Sequence, residues 1–286
     1  MGNRLKGIIY ILISAFCFAL MAAFVRLSGD LPSVEKAFFR NAIAVIIVLF
    51  TIISKKEKLH ATSSDVKFLF LRSLFGTIGL LCNFYAVDHL ALADASMMQK
   101  LSPFFVLVLS YFILREKVKP VQWIAIIGAF IGALFIIKPS GNFNNFPAII
   151  AAIGGLGAGA AYTMVRLLGK RKVTPDLIIL VFSSFSCIVC LPLMILDWKA
   201  MTMYQLCMLL LAGTAAAGGQ FSITRAYIYA PAKQISVYDY SQIIFSAILG
   251  FILFGQVPDI FSFVGYVIII AMAVWMFIYN KKDEQQ

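Results

Sequence analysis

The sequence predicts an all-α membrane protein of ten transmembrane helices, built as two inverted five-helix repeats. Three observations predict it: the composition, the spacing of apolar stretches, and an internal echo at an offset of 140 residues. Of 286 residues, 62% are hydrophobic and 13% charged, and the mean hydropathy is +0.93. Soluble domains carry about 25% charged residues, so this chain lacks the means to solvate an ordinary surface. No low-complexity tract supports a fibrous or disordered reading. A net charge of +11 would suggest nucleic acid in a soluble protein. Here the cations sit mainly in short loops between apolar stretches, where they act as topology signals and not as a phosphate footprint. Cys17, Cys82, Cys187, Cys190 and Cys207 all fall inside apolar stretches, which argues against a disulfide framework or a zinc site.

A membrane span takes roughly 20 mostly apolar residues. On that ruler the spans lie near 7–27, 34–54, 66–88, 93–114, 121–138, 147–169, 175–195, 204–229, 234–254 and 259–280. Arg4 and Lys6 precede the first, whose apolar run continues for roughly 18 residues without a small-residue cleavage site and reads as a retained helix. The longest break, 55–65, leaves no room for a soluble domain. With the N-terminus in the cytoplasm, 15 Lys and Arg residues lie on that side against Lys36, Lys138 and Lys199 outside. The positive-inside rule then fixes a multi-pass protein of the cytoplasmic membrane with both termini cytoplasmic. A cysteine at Asn142, in a background without the five native cysteines, is expected to react with an impermeant thiol reagent from outside, and one at Ser63 is not. The opposite labelling would invert this topology.

Residues 82–116 are echoed at 222–256. At an offset of 140, Ala86 meets Ala226, Ser96 meets Ser236, Phe105 meets Phe245 and Glu116 meets Gln256. The hinge Asp88–Asp94 also falls on a hinge, and helix end on helix end. The first repeat takes residues 1–138, a linker 139–146 follows outside, and the second repeat takes 147–286. Because five spans are an odd number, the second copy inserts upside down. Inverted repeats mark secondary transporters, whose substrate site lies near the midplane between repeats that rock to alternate access.

Particular stretches carry a resemblance: YAVDHLALADAS with LSPFF and LREKV in the first half, AYIYAPAKQIS with LFGQVP in the second, and VEKAFFRN opening the second span. They resemble the EamA branch of the drug/metabolite transporter superfamily. That resemblance implies two five-helix repeats, a cavity lined by spans 3, 6, 8 and 9, and a small organic substrate. VEKAFFRN is similar to the branches that carry carboxylates or amino-acid derivatives. Gln256 departs from the family, which usually has an acid at that place.

Six cations remain inside the spans: Arg26, Arg40, Arg72, Lys100, Arg166 and Arg225. Each costs about 2.5–3.5 kcal/mol at a helix centre, so each needs a partner, water or a function. Arg26 and Arg166 stand near helix ends, where a long side chain snorkels to the interface. Arg40 has Glu35 and Asp30 near the same surface, which leaves open a structural ion pair or a substrate role. Arg225 stands where family members often carry a basic residue. Ser96, Gln99, Lys100 and Pro103 share one helical face, and Ser236, Asp239, Tyr240 and Ile243 repeat it in the second half. Pro103 frees a main-chain carbonyl near the middle of its helix. Tyr85, Tyr162, Tyr227, Tyr238 and Tyr240 put hydroxyls into the spans that line the implied cavity. The candidate substrate site is therefore Lys100, Asp239, Gln99, Arg40, Arg225, Asn83, Tyr85, Tyr162, Tyr240 and Gln242.

Helical rise puts Lys100 roughly 10 Å below the outer surface and Asp239 roughly 8 Å above the inner one. In a core of about 30 Å they stand roughly 12 Å apart, too far for a simple ion pair. Either a substrate joins them, or Lys100 pairs with Asp94 or Asp88 while Asp239 pairs with Arg225 or Lys233. The in-span cations face few acids, chiefly Asp239, Asp88 and Asp94, and this imbalance predicts an anionic group on the substrate.

The glycine run GGLGAGAA, and Gly128 with Gly132, read as helix-packing surfaces and not as a nucleotide fingerprint. His89 beside Asp88 reads as a solvated cluster or a proton relay. The rival reading, an integral-membrane lipid-modifying enzyme, would call for paired acids, a His/Asp cluster or a catalytic loop, and the sequence offers none. The expectation is a secondary transporter, without cofactor or nucleic-acid partner, for a small carboxylate-bearing metabolite such as an amino acid, an amino-acid derivative or an organic acid. Its partners are that substrate, the lipid bilayer, and a coupling proton or exchanged metabolite.

Overall fold

A computed structural model of the chain describes residues 3–56, 59–113, 119–137, 146–229 and 236–283. The LREKV segment, the linker with Asn142, and the second hinge with Lys233 lie outside the described residues, apart from their edges. So do the side chains of Arg166 and Tyr227.

The apolar runs become helices, and the breaks between them follow local chemistry. Helix α1 (Asn3–Leu27) ends before Gly29, whose φ of +70° turns the chain, and Pro32 then starts α2 (Ser33–Lys55). A Thr62/Asp65 capping box opens α3 (Val66–His89). Next come α4 (Leu92–Gln99), α5 (Ser102–Ile113), α6 (Pro120–Ile137) and α7 (Phe146–Lys170). Pro175 begins α8 (Pro175–Leu196), which is followed by α9 (Met203–Tyr229). A 3-10 turn, Ser236–Tyr240, leads into α10 (Ser241–Phe254), closed by Gly255 at φ 63°, and α11 (Ile260–Asp283) is last.

Among the described residues eight helices are long and apolar enough to cross a membrane, and Pro120–Ile136 and Tyr238–Phe254 are shorter apolar helices. The fourth and ninth predicted spans are not continuous α-helices. One breaks between α4 and α5, and the other opens as a 3-10 turn before α10.

The closest packings pair a helix from each half of the chain: α1 with α9, α3 with α7, α6 with α11, and α2 with α8. Phe84, Leu92, Met97, Met98, Leu101 and Phe104 are buried completely in the main core. Phe50, Ile53 and Ile252 are strongly exposed, at 72%, 72% and 68%, as lipid-facing residues require.

Lipid gives no hydrophobic drive for helix association, so close contact between small residues holds the bundle. A Cβ on Gly79 of α3 would stand 2.9 Å from Ala158 N and 3.1 Å from Gly154 O of α7. On the other side, one on Gly132 would meet Gly265 O at 3.0 Å. The two glycine motifs therefore serve packing, as the sequence indicates. Gly79→Leu is expected to destabilise by at least about 1–3 kcal/mol, the usual cost of overpacking, because both nearest atoms are backbone. A lowered melting temperature and a loss of monodisperse protein would register it; wild-type melting would contradict so tight a seam.

Candidate functional site

The two interrupted helices define the site. Pro103 has no N–H, which removes the donor for Gln99 O. Phe104 N bonds to Leu101 O at 3.0 Å, so it does not serve Lys100 O as it would in a continuous helix. Lys100 O accepts the Tyr240 hydroxyl at 3.3 Å instead. Tyr240 is the last residue of the 3-10 turn and the equivalent of Lys100 at the 140-residue offset.

At this crossing Lys100 Nζ pairs directly with Asp239 Oδ2, and both side chains are largely buried. This corrects the separation of roughly 12 Å derived from helical rise, and Lys100 takes Asp239 in place of Asp94 or Asp88. A constant rise holds only for unbroken helix, and both chains deviate at this point. Asp88 is taken by Lys36, whose Nζ reaches its oxygens at 2.6 and 2.7 Å. Asp94 accepts the Tyr266 hydroxyl at 2.5 Å.

Two further acceptors, Asp239 Oδ1 and Gln99 Oε1, have no hydrogen-bond partner among the described residues. Gln99 and Asp239 are themselves equivalent residues at the 140-residue offset. A few residues away, Ser96 Oγ and Ser246 Oγ bond at 2.7 Å and tie α4 to α10. Gln242 is buried on α10, and Asn83 is half-buried on α3.

Other candidates lie elsewhere. Tyr85 stacks on His89 at 4.1 Å, close to Phe146, so it belongs to the ends of α3 and α7. Arg225 is exposed, its guanidinium 5.9 Å from the Tyr10 ring of α1. Arg40 is buried and donates to Asn41 Oδ1 at 2.6 Å; it does not pair with Glu35 or Asp30. Both carboxylate oxygens of Glu35 are buried without a hydrogen-bond partner among the described residues. Tyr162 is within electrostatic reach of Arg40, Arg72 and Asp239. Arg72, absent from the candidate set, shares a cavity with Arg40. Its sequence signal was Gly76 one turn on, the space its guanidinium needs.

The end of the bundle that the charge bias assigns to the outside is closed by polar contacts. Lys36, with 0% side-chain exposure, binds Asp88. Arg26 Nη1 donates to Val87 O at 3.0 Å and also to Leu90 O, so this snorkelling cation caps the C-terminus of α3. Gln256 Oε1 accepts from Leu92 N at 2.9 Å, joining the end of α10 to the start of α4. Gln205 Nε2 donates to Ser28 O at 3.0 Å. At the opposite end, Arg171 pairs with Asp65 at 3.1 Å.

The profile of the EamA-like transporter family matches residues 5–138. The pseudopaline exporter CntI of Pseudomonas aeruginosa is 30% identical over 94% of this chain and 95% of its own length. The S-adenosylmethionine uptake transporter of Rickettsia prowazekii is 27% identical, covering 98% of this chain and 95% of its own. For the riboflavin transporter of Vibrio cholerae the identity is 24%, over 99% and 97%. One crystal structure, described without a function, superposes with a TM-score of 0.68 at 14% identity over 98% of this chain and 99% of its own, a likeness of fold.

Proposed function

We propose that this chain, which belongs to the EamA-like transporter family, is a secondary carrier that moves a small carboxylate-bearing metabolite across the cytoplasmic membrane. Access alternates between two inverted five-helix repeats, residues 1–138 and 147–286, with both termini cytoplasmic. The relatives are transporters of small molecules, named for pseudopaline, riboflavin and S-adenosylmethionine. Because one is an exporter and another an uptake system, they support the class and leave direction open.

The observation that carries this reading is the Lys100–Asp239 pair at the junction of two helix breaks. Ionisable groups held at a break inside an apolar bundle are the arrangement carriers use to bind and release a charged solute. An incoming substrate amine finds free acceptors in Asp239 Oδ1 and Gln99 Oε1. Its carboxylate competes with Asp239 for Lys100. The protein's own ion pair thus exchanges for two protein–ligand pairs, and no charge is left uncompensated in low dielectric.

A thermal-shift screen of the purified protein tests this against amino acids, their derivatives, di- and tricarboxylates, nucleosides, polyamines and quaternary amines. Stabilisation grows as RT ln(1 + [L]/Kd), so weak ligands register at millimolar concentration. Shifts from carboxylate-bearing compounds are expected. Stabilisation by quaternary amines or polyamines alone would sink the reading.

A further inference from the structure

A cavity lies among α2, α3, α8 and α9, where Arg40, Arg72, Ser183 and Gln220 stand in a lining otherwise apolar, Phe182 and Phe221 included. It has about 20 Å³ of water-sized space in this conformation. That is room for about one water molecule, so the cavity is closed.

Its two arginines are unusual in what they lack. Both are at least nine-tenths buried, at 5% and 9% exposure, and neither Nε has an acceptor. Among the described residues no carboxylate forms an ion pair with either one. The two charges act on each other unfavourably.

The surroundings hold these guanidiniums in place without neutralising them. Asn41, which receives Arg40, is itself fixed by bonds of 2.9 Å to Ala37 O and Ser186 Oγ. Arg72 lies 4.1 Å over the Phe182 ring. A Cβ on Gly76 would run into the Arg72 guanidinium and come within 2.9 Å of that same ring, so the glycine keeps a slot open. Ser183 Oγ, also buried, has no partner. Such a cluster of unpaired donors is costly unless an anion completes it.

Counting along the helices from their ends, Arg40 stands about 10 Å from the start of α2 and Arg72 about 9 Å from the start of α3, at opposite faces of the bundle. They therefore approach the midplane from both sides. Tyr162 of α7 is 45% exposed and within electrostatic reach of both arginines and of Asp239.

We infer that Arg40 and Arg72 form an anion subsite for a second carboxylate of the transported compound. The substrate class is then an amino dicarboxylate: an amino-acid head at Lys100–Asp239 and a further carboxylate between the arginines, whose planar forks suit bidentate contact. This rests on the carrier reading given above and narrows its substrate.

The test uses the full-length purified protein, with glutamate, glutamine and O-phosphoserine as probes in thermal-shift and calorimetric titrations. Wild type is expected to bind glutamate more tightly than glutamine. Arg40→Gln and Arg72→Gln are expected to melt at or above wild type without ligand, since each removes an uncompensated buried charge. Each should retain glutamine binding and lose roughly tenfold to a hundredfold in glutamate affinity, the worth of one or two charge-assisted hydrogen bonds.

Arg72→Lys should recover only part of that loss, because an ammonium lacks the fork. If both Gln variants bind glutamate within twofold of wild type while Lys100→Ala/Asp239→Ala does not, the subsite is wrong and the carrier reading stands. Preference for O-phosphoserine over glutamate would overturn the carboxylate assignment, and Gln variants that fail to fold would make the arginines structural. If no carboxylate-bearing compound in the wider screen shifts the wild type, the carrier reading fails and takes this subsite with it.

Discussion

Lys100→Ala is expected to abolish uptake and to cost about 3–5 kcal/mol of stability, because it strands Asp239 inside the bundle without its counter-charge. The lower end of that range applies, since the Asp239 side chain is 19% exposed and solvent screens it in part. Asp239→Ala should do the same from the other side, where Lys100 is the more enclosed partner at 9%. The informative variant is Lys100→Ala/Asp239→Ala. With both charges gone it should regain most of the lost melting temperature and still fail to transport. Restored uptake in the double variant would reduce the pair to a structural bridge. Uptake in membrane vesicles, normalised to folded protein, measures it.

Asp88→Ala is expected to have a comparable effect through a different route. Lys36 is wholly buried against Asp88, so removing the carboxylate leaves an ammonium with no access to water, again at about 3–5 kcal/mol. Short of unfolding, Lys36 can lose its proton or the bundle can part α2 from α3 at that end and hydrate the ammonium, and only the second route exposes the neighbouring backbone. A cysteine at Val34, in the background without native cysteines, should then label faster in Asp88→Ala than in the parent. Lys36→Met/Asp88→Leu, an apolar pair of similar bulk, should restore stability and slow the labelling. Equal labelling rates in all three proteins would show that the pair does not control that end.

The helices were legible because an apolar stretch of membrane-crossing length admits one backbone solution. Lys100 and Asp239 were legible for a related reason: an ionisable group is too costly there to be incidental. Their contact was not. Depth follows from helical rise only in an unbroken helix, and the helix expected to hold Pro103 near its middle stops at Gln99 and resumes at Ser102. Where a broken helix resumes depends on what fills the gap, here the Tyr240 hydroxyl from another part of the chain.

Arg72 shows the same limit. Its cost was evident in the sequence, but periodicity cannot say which neighbouring helix a side chain meets, and Phe182 lies 110 residues away. Tyr85 marks a different limit. It occupies one of the spans implied to line the cavity, yet a histidine one turn on captures its ring.

Gln256 caps the first turn of α4 with a neutral amide. A carboxylate at a helix N-terminus would add about 0.3–1 kcal/mol from the helix dipole, but that increment fades with added salt and vanishes on protonation. With glutamine, the joint between α10 and α4 gives up that increment and becomes indifferent to the medium bathing it. The hinge that carries Lys100 should therefore behave alike in dilute and saline surroundings and across an acid shift, while Gln256→Glu would make its stiffness follow the ionic strength and pH at that end of the bundle.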